Sequence, residues 1–132
     1  MRGNALLRGL FATLPMLLAS GVHSADSPPR SNKWRLEVSG DAESDGVLKF
    51  RIQPKDGAPV EVTANVDDGR SENGVARDIR EAFQAQLPKG SYSVETDDGE
   101  DVLIKKDFGE PDFSIELISS TVEDVRVRLD RE

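Results

Sequence analysis

The segment VEVTANVDDGRSENGVARDIREAFQAQLP, residues 60–88, changes its hydrophobic period part-way along. In its first seven residues Val60, Val62, Ala64 and Val66 alternate with Glu61, Thr63 and Asn65, the period of two that a half-buried strand requires. Pro59 can begin such a strand but not sit in its middle, because it has no N–H to give the ladder. After the turn Asp67-Asp68-Gly69 the period becomes 3.6. Val75, Ile79, Ala82, Phe83 and Leu87 then share one stripe, while Arg77, Arg80, Glu81 and Gln84 face away. Ser71 or Asn73 can cap this helix, and Pro88 and Gly90 stop it. Gln86 falls inside the stripe, and its amide is expected to reach solvent at the fraying last turn. An amphipathic helix following a strand needs an apolar surface to cover.

The flanking sequence supplies that surface. On the N-terminal side Trp34, Leu36 and Val38 alternate with Arg35 and Glu37, and Leu48, Phe50 and Ile52 alternate with Lys49 and Arg51. The polar loop of residues 40–46 separates them, and residues 54–57 form the next turn. Three strands joined by short turns predict an antiparallel meander. On the C-terminal side Tyr92, Val94 and Thr96 lead through the turn of residues 97–100 to a strand over residues 102–106. Phe113, Ile115 and Leu117 form the next, and Val125, Val127 and Leu129 the last. The expected class is α+β, mainly antiparallel β in the order β-β-β-α-β-β-β-β, with one helix packed on the sheet or sandwich.

Residues 1–24 read as a signal peptide. Arg2 and Arg8 precede an apolar run from Leu10 to Val22, and Val22-His23-Ser24 offers a cleavage site near Ser24/Ala25. The run is shorter than the roughly 20 residues of a membrane-spanning helix, so the mature form is expected to be periplasmic or secreted with no transmembrane anchor. Residues 25–32, with Pro28-Pro29, read as a flexible N-terminal arm, and residues 33–132 as a single β-rich domain. The chain carries 17 basic and 25 acidic side chains; loss of the leader takes two Arg and moves the net charge from −8 to −10. It also removes the one His and both Met, and the chain has no Cys. The mature chain then has no imidazole base, thiol nucleophile or soft metal ligand, and no disulfide to supplement its core.

The order of a strand, an acidic turn, a helix opening on Val75-Ala76-Arg77-Asp78-Ile79, Gly90-Ser91-Tyr92-Ser93-Val94, a hairpin and a closing Phe113-Ser114-Ile115-Glu116-Leu117 resembles the small β-rich modules of phage tail and bacterial surface proteins. The resemblance covers most of residues 47–129 and is one of pattern and element order. It implies a structural or binding module and carries no catalytic residue across.

Several clusters are candidates for chemistry. Asp41, Glu43 and Asp45, followed by Gly46, approach a calcium-binding loop, but the position of the closing bidentate Glu is Ile52. Asp97, Asp98, Glu100 and Asp101 form a second acidic turn, and turn carboxylates of this kind stay solvated rather than acquiring the raised pKa of a catalytic acid. Ordinary turn formation accounts for both clusters, since Asp bonds its own following backbone and Gly accepts positive φ. The outward strand positions are basic at Arg35, Lys49, Arg51, Arg126 and Arg128. Were these strands neighbours, the five would form one ladder, either a partner-binding face or a set of ion pairs with Glu37, Glu61 and Glu116. Trp34 is expected in the core or at its rim. No catalytic residue and no cofactor are expected, and the acidic balance disfavours nucleic acid. The reading is a non-enzymatic, exported binding or structural/assembly module acting through protein contacts. The alternative is an inhibitor or immunity-type protein that blocks a basic extracytoplasmic enzyme, and the third a weak calcium-binding module.

Overall fold

The computed structural model describes residues 28–132, so the leader and the first residues of the arm lie outside the described residues. The described residues form seven strands and one helix: β1 (Lys33–Ser39), β2 (Gly46–Pro54), β3 (Val60–Val66), α1 (Glu72–Gln86), β4 (Tyr92–Asp97), β5 (Asp101–Lys106), β6 (Phe113–Ser120) and β7 (Arg126–Arg131). Every strand pair is antiparallel, in a four-stranded sheet β4-β5-β1-β7 and a three-stranded sheet β3-β2-β6. This is the expected α+β class and element order.

The expected meander of the first three strands is not formed. Only β2 and β3 pair; β1 lies between β5 and β7 in the other sheet. The connection over residues 40–45 is a crossing between sheets and not a hairpin turn. Gly40 has φ +90°, and a Cβ there would lie 2.0 Å from the Asp124 carbonyl oxygen. Ala42, inside this otherwise polar loop, is buried, and its backbone N–H and C=O pair with Arg70 and Gly69. A single apolar residue thus pins the crossing under the loop that precedes α1.

The inner faces follow the predicted alternation. Trp34, Leu36 and Val38 face Leu48, Phe50 and Ile52 across the interior, with Val62, Ala64, Val66, Val102, Ile104, Phe113 and Ile115 completing the strand contribution. Trp34 is in the core as expected, and its indole N–H donates to the Phe113 carbonyl at 2.9 Å. The helix closes the side between β3 and β4, packing also on β1 and β5. Val75, Ile79, Phe83 and Leu87 of the predicted stripe are buried and Ala82 is packed against them. Phe83 meets Phe50 with ring centroids 5.2 Å apart.

The helix start follows from its sequence. The Ser71 hydroxyl accepts from the Gly74 N–H at 3.1 Å, the N-cap geometry. Arg70 folds back over Gly74 to pair with both oxygens of Asp78, at 2.9 and 2.8 Å. At the other end Gln86 departs from expectation. Its Oε1 accepts from the Thr63 N–H at 2.9 Å and its Nε2 donates to the Thr63 carbonyl at 2.8 Å. The reason is the open edge of β3, whose unpaired backbone groups need partners; a side-chain amide presents the same donor and acceptor as a neighbouring strand. Gln84, exposed as predicted, donates to the Val94 carbonyl on the edge of β4 at 2.8 Å. Two glutamines therefore tie one helix to the edges of two sheets.

The end of the N-terminal arm is also tied down. Ser31 exchanges two backbone hydrogen bonds with Phe113, and Asn32 accepts from the Lys106 N–H. Among the described residues no helix is long and apolar enough to cross a membrane.

Candidate functional site: the acidic end

Each element reverses the direction of the one before it, so alternate connections gather at the same end of the molecule. The first, third, fifth and seventh connections span residues 40–45, 67–71, 98–100 and 121–125. They are locked to one another. Ala42 N–H donates to the Arg70 carbonyl at 2.8 Å and Glu43 N–H to the Glu123 carbonyl at 3.0 Å. Glu123 N–H returns to the Ser44 hydroxyl at 3.0 Å, and Gly99 lies against Asn73.

Taken with the strand and helix residues that border them, these segments carry Asp41, Glu43, Asp45, Asp67, Asp68, Glu72, Asp97, Asp98, Glu100, Asp101, Glu123 and Asp124. Their basic residues are Arg70 and Arg126. Twelve carboxylates against two guanidinium groups is a charge of −10, and the remainder of residues 25–132 is balanced, with 13 basic and 13 acidic side chains. The clustering is a consequence of topology, since the acidic residues are dispersed along the sequence.

Part of this charge is engaged in structure. Asp41 Oδ1 accepts from the Glu72 N–H at 3.0 Å, and Glu72 Oε2 in turn accepts from the Gly40 N–H at 3.1 Å. Asp45 Oδ1 accepts from the Asp68 N–H at 2.7 Å. Asp41, Glu43 and Asp45 therefore do not converge as calcium ligands would: two turn to separate backbone donors, Glu43 is exposed, and Ile52 at the closing position is fully buried. Glu43, Asp67, Asp68, Glu123 and Asp124 are exposed and present their charge to solvent.

The turn between β4 and β5 is organised by Arg35. Asp98 and Gly99 both take positive φ, 52° and 79°, which folds the hairpin tightly. Carboxylate oxygens of Asp97, Asp98 and Asp101 lie within 4.8 Å of one another, a spacing that a cation can bridge. The cation present is the Arg35 guanidinium, which reaches Asp97 at 3.1 Å and Asp101 at 2.5 Å and extends to Glu132 at 3.2 Å. The hydrogen bonds that Arg35 donates to Glu132, Asp101 and Asp97 raise its pKa well above its ordinary range, so the residue is a permanent cation. Asp101 is buried beneath it, and Asp101 Oδ1 has no protein partner among the described residues.

The five basic candidates do not form one ladder. Arg35, Arg126 and Arg128 lie on the outer face of the four-stranded sheet, whereas Lys49 and Arg51 lie on the outer face of the three-stranded one. The ladder required β1 and β2 to be neighbours, and the crossing at residues 40–45 separates them. Most of the five are also engaged. Arg51 stands between Glu61 at 3.5 Å and Glu116 at 3.8 Å, and Arg128 between Glu37 at 2.9 Å and Asp130 at 3.0 Å. Lys49 and Arg126 make no ion pair among the described residues. The surviving concentration of charge is thus the acidic end. The carboxylates at residues 41–45, 67–68 and 97–101 were visible in the sequence, but Glu123 and Asp124 were missed; the alternation of connections was the signal that could have joined all four segments into one surface.

No protein-family model matches this chain, and no curated protein matches it.

Proposed function

We propose that the protein is exported and acts without chemistry of its own, binding a cationic protein partner through its acidic end. The observation that carries this reading is the gathering of four acidic connections into one interlocked surface of twelve carboxylates. A surface of one sign raises the rate of encounter with an oppositely charged partner. The hydrogen bonds between the connections hold it in shape before binding, which lowers the ordering cost of association. The leader pattern supports export, and the absence of His and Cys from residues 28–132 supports a non-enzymatic role.

Between the two forms that such a module can take, the geometry favours a blocker of a basic extracytoplasmic protein over an assembly module. The acidic surface sits at one end of the fold, suited to capping a single site, while the sheet faces are largely occupied by their own ion pairs. The test is affinity retention from envelope extracts, with wild-type bait beside a Glu43→Gln, Asp67→Asn, Glu123→Gln, Asp124→Asn variant. One soluble basic protein, eluted by salt and lost with the variant, is the expected outcome. Retention of a large envelope complex by both baits would favour the assembly form.

A further inference from the structure

We propose that two copies of the chain pair through the open edge of β7, antiparallel about a two-fold axis at Leu129, joining their four-stranded sheets into one of eight strands. The ladder between β1 and β7 decides which backbone groups of β7 are free. Glu132 N–H donates to the Lys33 carbonyl at 3.0 Å, so these two residues form a hydrogen-bonded pair. Such pairs recur at every second residue of an antiparallel ladder, which turns the backbone groups of Arg126, Arg128 and Asp130 toward β1. The N–H and C=O groups of Val127, Leu129 and Arg131 therefore point away from the sheet, and they have no partner among the described residues.

The other three sheet edges are treated differently. Gln86 lies along β3, Gln84 reaches β4, and Ser31 exchanges two backbone hydrogen bonds with Phe113 on the outer edge of β6. Open edges are commonly guarded by charge that keeps other strands away. The charge on β7 has both signs, and its order selects a second copy of β7 as the occupant.

With Leu129 opposite its own counterpart, Arg128 faces the partner's Asp130 and Arg126 faces the partner's Glu132, each twice, on the outer face. Arg128 Nε already holds Asp130 Oδ2 at 3.0 Å within one copy, and the pairing extends this to four alternating charges. Sliding the register by two residues sets Arg128 against Arg128 in one direction and Asp130 against Asp130 in the other, so charge fixes the register. On the inner face Val127 and Leu129 are only partly buried at the margin of the core, and the second strand completes their cover. The two Val125 positions are then about eight residues of strand apart, on the order of 25 Å. That exceeds the screening length of about 8 Å, so the acidic ends do not oppose the contact. The pairing is independent of what those ends bind.

Sedimentation equilibrium of protein purified from cells expressing the full chain tests the pairing, and a reversible monomer–dimer equilibrium is expected. Arg126 and Glu132 lie at opposite ends of β7, so the two can meet only between copies. Arg126→Glu sets acid against acid and Glu132→Arg sets base against base, so either variant alone should raise the dissociation constant at least about tenfold. An equimolar mixture of the two variants should recover dimer formation, because every facing pair is then again of opposite sign. Both positions are exposed, so unchanged thermal unfolding separates lost pairing from lost folding. A wild-type chain monomeric up to millimolar concentration, a dimer indifferent to both substitutions, or a mixture as weak as its components would overturn the proposal.

Discussion

The two ends of this molecule are built from four connections and three, and from different residues. The connections over residues 40–45, 67–71, 98–100 and 121–125 are acidic and contain no proline. Those at the other end, residues 55–59, 87–91 and 107–112, carry Pro59, Pro88 and Pro111 and a lighter, mixed charge: Lys55 and Lys89 with Asp56, Asp107, Glu110 and Asp112. At the acidic end, backbone N–H groups donate across from one connection to the next, so the charges are held in a fixed arrangement. At the proline end, Lys55 N–H donates to the Asp112 carbonyl and Asp107 N–H to the Ser91 carbonyl, both at 2.9 Å, and each connection also carries a proline of fixed φ. A fold can thus concentrate like charge where mutual hydrogen bonding supplies rigidity.

Phe83 belongs to neither end and sets the scale for both. It is fully buried against Phe50, so Phe83→Ala should cost about 3–5 kcal/mol through lost burial and the remaining cavity. That is a large part of the roughly 5–15 kcal/mol available to a small domain. Urea unfolding measures it, and a cost near zero would mean that the helix does not hold the two sheets together.

Gly40 and Gly109 compare the ends directly. Both have φ +90°, but an added Cβ meets the Asp124 carbonyl oxygen at Gly40 and nothing within 4 Å at Gly109. Gly109→Ala should therefore cost only the left-handed strain, about 1–2 kcal/mol. Gly40→Ala adds displacement of the neighbouring connection and should cost about 2–4 kcal/mol. Equal costs would break the claim that the acidic connections are interlocked.

The helix edges give a smaller effect. Gln86→Ala removes two hydrogen bonds to Thr63 and Gln84→Ala one to Val94. Both sites are open to water, which takes over the freed groups, so about 1 kcal/mol and about 0.5 kcal/mol are expected. If Gln84→Ala costs more than Gln86→Ala, the edge of β4 rather than β3 is the one that the helix secures.

Tyr92, at the proline end, provides the smallest effect and the cleanest signal, because it is the only Tyr. Burial, and then the charge of Glu110, raise its pKa above the ordinary 10.0. The folded state holds the proton that the unfolded state releases, so this contribution to stability is complete below pH 10 and is lost as pH rises through the folded value. An absorbance titration should place the midpoint above 10, and Tyr92→Phe should flatten the alkaline loss of stability. A midpoint at or below 10 would contradict the half-buried packing of the ring against Phe113.

The strands, the helix and its buried stripe were legible because periodicity is local: Val75, Ile79 and Phe83 declare their face without reference to the rest of the chain. Sheet membership was not, because the pairing of Trp34 with Ile104 and Arg131 spans the whole sequence. That one long-range choice placed Arg35 and Arg51 on different sheets and dissolved the expected basic ladder. Gln86 was misread for a related reason, since its partner at Thr63 is visible only once β3 is known to be an edge. The acidic turns were read individually, and their union required the parity of the connections.

The most direct test of the acidic end as the binding surface is hydrogen–deuterium exchange of the protein alone and with the basic partner retained from envelope extracts. Slowed amide exchange is expected in residues 40–45, 67–73, 97–101 and 121–125, with the outer face of β2 and β6 unchanged. Protection centred instead on Lys49 and Arg51, with the four acidic connections unaffected, would contradict it.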